Sequence, residues 1–163
     1  MSEPRVVIIL GSKSDLEHGK AIRSALAEFG VRGELRVASA HKSPLHLLRV
    51  LEEYERVGGP RVYITVAGRS NALSGFVDAQ VAAPVIACPP YSDRFGGGDI
   101  WSSLRMPSGV APAVVLEPAG AALLAVKMLG LVDGALAARV AARQRAAVEA
   151  LLRDDEEVRA GAE

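Results

Sequence analysis

A chain of 163 residues, half of them hydrophobic and 4% aromatic, with 19 basic against 19 acidic side chains, has the size of one domain whose core needs no covalent staples. Zero formal net charge gives no electrostatic case for nucleic acid or an anionic membrane as partner. The single cysteine, Cys88, cannot pair within the chain, so a reducing cytoplasm is the expected compartment, and no apolar run approaches the ~20 residues that span a bilayer.

The amino-terminal Met-Ser-Glu-Pro-Arg lacks the apolar stretch and cleavage site of a signal peptide and runs directly into a strand signal. Residues 5–10, Arg-Val-Val-Ile-Ile-Leu, are a β-branched run without polar alternation, as in a central parallel strand covered on both faces. The corner Gly11-Ser12-Lys13-Ser14-Asp15 leads into a helix predicted over 16–29, with Ile22, Leu26 and Phe29 on one stripe, Ser14 or Asp15 as cap and Gly30 at its end. A second strand is predicted over 35–40. The second helix, over 44–57, presents Leu47, Leu48, Leu51 and Tyr54 on one face. A third strand follows over 61–67, a helix over 72–82 and a short fourth strand over 85–88.

The loop 89–98 contains Pro89-Pro90 and Gly96-Gly97-Gly98, so it is irregular, and it is long for an α/β connection. Asp99 is placed to cap a short helix through Leu104, before a fifth strand over 113–116 and a helix over 118–129. This alternation predicts an α/β fold: a three-layer αβα sandwich around a central parallel sheet of about five strands, flavodoxin-like. Residues 1–130 read as one α/β domain. Residues 131–163, rich in Ala and Arg with Leu136, Val140, Val148 and Leu151 on a narrow stripe, read as a helical extension that packs on the domain or on a neighbouring subunit. The charged stretch 154–163 is expected to fray.

Polar residues gather after three successive strands, in Ser12-Lys13-Ser14-Asp15, Ser39-Ala40-His41-Lys42-Ser43 and Arg69-Ser70-Asn71. In a parallel sheet all three open on one edge, where such folds bind ligands. The first has the amides and hydroxyls to hold an anion such as phosphate, and equally the composition of a plain turn and helix cap. Lys42 is either a phosphate counter-charge or a solvated lysine. His41, the one histidine at a strand end, is a candidate for proton exchange near neutrality or a structural hydrogen-bonder. His18 and His46 fall near helix starts, where a helix-surface role is expected. No metal-ligand spacing is present, Gly-x-Ser-x-Gly is absent, and Cys88 at an apolar strand end has the wrong setting for a nucleophile. Trp101 and Arg105, near the glycine-rich loop, suit a subunit contact or a ligand lid.

Four motifs, Gly-Ser-Lys-Ser-Asp, Ser-Ala-His-Lys, Ala-Gly-Arg-Ser-Asn and Ser-Ser-Leu-Arg-Met-Pro-Ser-Gly, in that order across residues 5–130, resemble the phosphoribosylaminoimidazole carboxylase (PurE) family of purine biosynthesis. One branch of that family is a mutase acting on N5-carboxyaminoimidazole ribonucleotide, with Ser-Ala-His-Arg and a second histidine in Gly-Gly-Ala-Ala-His. Lys42, and Gly68-Arg69-Ser70-Asn71 without a histidine, resemble instead the branch that carboxylates 5-aminoimidazole ribonucleotide (AIR) directly with carbon dioxide, giving 4-carboxy-5-aminoimidazole ribonucleotide (CAIR) without ATP, biotin or metal. The resemblance implies that Ser12, Ser14 and Asp15 bind the ribose phosphate end, with Ser39, Lys42 and Arg69 contributing and Gly11, Ala40, Gly68 and Asn71 completing the substrate site. It implies His41 as the proton-transfer group and Ser70 as the holder of carbon dioxide. No cofactor is implied. The family's members are homo-oligomers, so an octamer or tetramer with sites shared between subunits is expected. Against the carboxylase stand the mutase and, from another class, a non-catalytic nucleotide-binding module on the same fold.

Overall fold

The structure, a computed structural model, describes residues 3–161. Its strands are β1 (Arg5–Leu10), β2 (Arg32–Val37), β3 (Arg61–Val66), β4 (Val85–Ala87) and β5 (Ala113–Val114). They form one five-stranded sheet in the order β2-β1-β3-β4-β5, and every pair is parallel. This is the doubly wound, flavodoxin-like order that the alternation predicts. Its helices are α1 (Leu16–Ala27), α2 (Pro44–Val57), α3 (Leu73–Asp78), α4 (Trp101–Leu104), α5 (Pro118–Gly130) and α6 (Gly134–Ala160).

Alternate residues of the central strands point to opposite faces, which divides the core in two. On one face Val6, Ile8, Leu10, Val62, Ile64 and Ile86 pack against α1, α5 and the start of α6. On the other, Val7, Ile9, Tyr63 and Val85 pack against Leu47, Val50, Leu51 and Tyr54 of α2 and Leu73 and Val77 of α3. The continuous apolar runs of β1 and β3 are therefore buried on both sides. Gly19 of α1 lets that helix press on the sheet: a Cβ there would stand 2.7 Å from Leu10 Cδ2 and 2.8 Å from Leu35 Cδ2.

Four local expectations are corrected. Strand β2 runs from Arg32 to Val37 rather than over 35–40; it is an edge strand, and an edge accepts the charged Arg32 and Glu34. Asp15 stands at the N-cap of α1 but makes no side-chain cap bond there; the side-chain cap is Ser12, which opens a preceding 3-10 turn, Lys13–Asp15, through a capping box with Asp15. A second 3-10 turn, Gly98–Ile100, precedes α4, and Asp99 lies inside it instead of capping it. The carboxyl-terminal stretch is helical through Ala160, while Ala162 and Glu163 lie outside the described residues. Asp133 starts α6 by accepting hydrogen bonds from the amides of Ala135 and Leu136, and Leu136 and Val140 anchor the helix in the core.

Candidate active site

The site forms where the sheet order reverses. β1 and β3 are neighbours, and the chain leaves β1 for α1 on one face and β3 for α3 on the other, so the loops after these two strands diverge around a crevice at their carboxyl ends. That crevice is a cleft of about 630 Å³. Gly11 at its floor is a close approach between β1 and β3. Its amide donates to Val66 O at 2.8 Å, and a Cβ would come within 3.2 Å of that of Ala67.

The loop after β1 is knitted by its own polar groups. The Ser14 amide donates to Ser12 Oγ at 3.0 Å and the Ser12 amide to Asp15 Oδ2 at 3.1 Å, while the two serine hydroxyls bond each other. Ser12, Ser14 and Asp15 all line the cleft. Burial pushes the Asp15 carboxyl above its ordinary value, against the opposing pull of the Ser12 amide and the nearby His18. The loop after β2 closes on itself in the same way. Ser43 Oγ accepts from the Ser39 amide at 3.0 Å, and Ser39 Oγ accepts from the Lys42 amide at 3.2 Å. This tight turn pushes the side chains of His41 and Lys42 outward at its tip, exposed and at the cleft wall. Ser39 and Ala40 line the same wall.

The loop after β3 brings Gly68, Arg69 and Ser70 to the opposite wall. Arg69 has φ 57°, the one positive value on a non-glycine residue among the described residues, a conformation that costs roughly 1–2 kcal/mol. Asn71 does not line the cleft with them. It is 3% exposed, its Nδ2 donates to Ser103 Oγ at 3.0 Å and its Oδ1 accepts from the Ser74 amide at 3.1 Å.

Residues that sequence reasoning did not place here also line the cleft: Ala67, Leu73, Pro90, Ser92 and Arg94. Three of them come from the long loop 89–98, whose length and prolines were the available signal. Arg94 is the consequential one. Lys42, Arg69 and Arg94, from three different loops, all face this cleft, and among the described residues none of them is in an ion pair. Three such cations and one carboxylate line the cleft of a chain of zero net charge, a local excess of positive charge that favours anions. A smaller, more apolar hollow of about 290 Å³ adjoins it through Gly68, Pro90 and Ser92.

The other histidines lie elsewhere. His18 is not on the helix surface as expected. It is half-buried on α1, its Nε2 3.3 Å from Cys88 Sγ. Its pKa is lowered, first by burial, with Cys88, Asp15 and Glu117 opposing. His46 is exposed and bonds Val37 O at the end of β2 at 3.2 Å. Cys88 is fully buried, and its thiol is pushed up to about 12 by burial and the Glu117 charge, so it stays protonated near neutrality. Among the described residues no group of three or more His, Cys, Asp or Glu side chains could hold a metal ion, and no helix is long and apolar enough to cross a membrane.

Comparison with known proteins meets this geometry. The family model described as AIR carboxylase matches residues 5–150. A Treponema denticola protein named phosphoribosylaminoimidazole carboxylase is 49% identical over 156 residues, covering 96% of this chain and 98% of its own. One of the same name from Archaeoglobus fulgidus is 53% identical over 155 residues, covering 95% and 85%. The crystal structure of Treponema denticola PurE superposes with a TM-score of 0.93 at 49% identity, covering 95% of this chain and 98% of that one.

Proposed function

Since the chain belongs to the AIR carboxylase family and is an enzyme of purine biosynthesis, we propose that it carboxylates AIR directly with carbon dioxide to CAIR, without ATP. Family membership sets aside the non-catalytic module. The observation that carries the finer choice is the histidine census of the cleft. Of the chain's three histidines, His41 lines it, His18 is turned to Cys88 and His46 to Val37. A mutase must protonate a nitrogen as its carboxyl group leaves, and must separately remove a proton from the ring carbon. Direct carboxylation needs the second of these alone.

In this reading the phosphate of AIR lies against the amides and hydroxyls of Ser12 and Ser14, with Asp15, Ser39 and Ala40 on the ribose and Lys42 and Arg69 as counter-charges. Gly11 and Gly68 leave room for the ring at the floor. The amino-substituted imidazole is an enamine-like nucleophile. Its C4 attacks the carbon of carbon dioxide, a carbon–carbon bond forms, and one C=O electron pair moves to oxygen. Ser70 holds that growing carboxylate. His41 then accepts the C4 proton, which restores the aromatic ring and releases CAIR. Holding carbon dioxide beside C4 supplies the remaining advantage as proximity. The enzyme works as a homo-oligomer in this reading, and the exposed Trp101, Leu104, Leu151 and Leu152 supply apolar surface for subunit contacts.

The test is a pair of assays on purified protein, one with AIR and bicarbonate, the other with N5-carboxyaminoimidazole ribonucleotide at a pH where it is stable. Turnover of AIR to CAIR is expected. Turnover confined to the carboxyamino substrate establishes the mutase instead.

A further inference from the structure

The loop after β3 carries two residues of the reaction read above, and within the loop the bond from the Ala72 amide to Ser70 O at 3.1 Å helps to hold them. Arg69 and Ser70 are exposed, the Arg69 backbone is in the left-handed region, and the loop spans just the gap between β3 and α3. The rest of its order comes from a segment some thirty residues later, the 3-10 turn Gly98–Ile100 and α4. The amide of Asn71 donates to Ser102 Oγ at 2.8 Å, and that hydroxyl in turn donates to the carbonyl of Asp99 at 2.7 Å. The carboxamide of Asn71 spans from the Ser103 hydroxyl, at 3.0 Å, to the amide of Ser74, at 3.1 Å. Asp99 Oδ2 accepts the amide of Arg69 at 3.4 Å.

We propose that Asn71 is a positioning residue, not a substrate ligand: with Ser102 and Ser103 it latches the Arg69–Ser70 turn to α4 and so sets where Ser70 meets carbon dioxide. This rests on the carboxylase reading for its chemistry, although the latch itself is geometry. Three features support it. Both ends of the Asn71 carboxamide are already bonded inside the fold. Ser103 is 2% exposed, so its hydroxyl serves the protein interior rather than solvent. Removing it strands a buried amide donor, whose desolvation is not recovered. The turn can then relieve its strained Arg69 by moving, and a displacement of about 1 Å at a reacting group costs on the order of 100-fold in rate. The same segment is continuous with the loop that carries Pro90, Ser92 and Arg94 on the cleft, so the latch joins two walls of the site.

The experiment compares the full-length protein with Ser103→Ala, Ser102→Ala and Asn71→Ala, and the double variant Asn71→Ala/Ser103→Ala, measuring kcat and KM, thermal melting, and hydrogen exchange of peptides covering 67–74 without ligand. The expected result is a kcat lowered about 10-fold or more in Ser103→Ala, a KM for AIR that rises with it because Arg69 moves with the turn, a double variant no worse than the poorer single one, and faster exchange at 68–71. A folded Ser103→Ala protein with wild-type kcat and exchange, whatever its melting temperature, overturns the latch. If Ser103→Ala does not fold, Ser102→Ala, altered at a partly exposed residue, answers by the same two readouts. A wild-type protein that turns over neither AIR nor its carboxyamino derivative sinks the carboxylase reading, while the latch still stands or falls on the exchange of residues 68–71.

Discussion

His41 and Lys42 owe their place to a hydroxyl pair that is not itself chemical. Ser39 and Ser43 close the turn after β2 through their own backbone, and the two side chains between them are left at the cleft. His41→Asn keeps the size of the side chain and removes the proton acceptor. The expected outcome is a kcat lowered by about 10²–10⁴ with AIR affinity retained by equilibrium dialysis. Arg94 is the opposite case, a cation brought to the cleft by a loop containing Gly96 and Gly97, both at positive φ. Arg94→Ala is expected to raise KM for AIR about 10-fold, in keeping with one charge-assisted hydrogen bond to an anion, to leave kcat within about 2-fold, and to weaken the dependence of KM on salt. The motif containing Asn71 was legible, and so was its nearness to the site. Its role was not, because Ser102 and Ser103 meet it only once the chain has folded back over some thirty residues.

Elements were legible where both faces of a strand or one stripe of a helix were uniform. β1 and β3, buried on both sides, and α2, with Leu47, Leu51 and Tyr54 inward as read and Val50 buried where Leu48 was expected, were plain. β2 was not, since an edge strand needs no apolar run. The position of α1 also reassigns His18, which α1 lays against the end of β4 beside Cys88, with Asp15 and Glu117 the charges nearby. Its pKa lies below the ordinary 6.5, chiefly through burial. The unfolded chain therefore binds more protons than the folded one in the window from 6.5 down to the folded value, and stability is lost as pH falls through it. Thermal melts of wild type and His18→Gln between about pH 7 and pH 5 check this. The variant is expected to lose less of its melting temperature over that range, and equal losses would show that His18 is not the group responsible.

At the scale of the molecule, α6 is the least self-sufficient part. Leu136 and Val140 are its buried residues, and Arg139 and Arg143 tie it to the end of α1, the first through Phe29 O at 2.5 Å and the second by an ion pair with Glu28. Beyond that, Val148, Leu151, Leu152 and Val158 are exposed, more apolar surface than a solitary helix needs. Sedimentation at micromolar concentration is expected to find an oligomer, an octamer or a tetramer. Truncation after Arg143 is expected to shift it toward smaller species while leaving the melting temperature of the dissociated chain within about 2–4 °C, the shift for ~1 kcal/mol in a domain of about 150 residues. A monomeric full-length protein would refute this.

By itself the sequence determined the alternation of strands and helices, the parallel sheet, the edge on which polar loops gather and the motifs by which the family is known. These are local properties, written in periodicity and in short runs of residues that stay together whatever the rest of the chain does. Tertiary structure alone decided that Arg94 joins Lys42 and Arg69 at one cleft, that His18 leaves the surface for Cys88, and that Asn71 is buried against Ser103. Each of these depends on which loops a twisted five-stranded sheet sets side by side, and that adjacency exists only between segments distant in sequence.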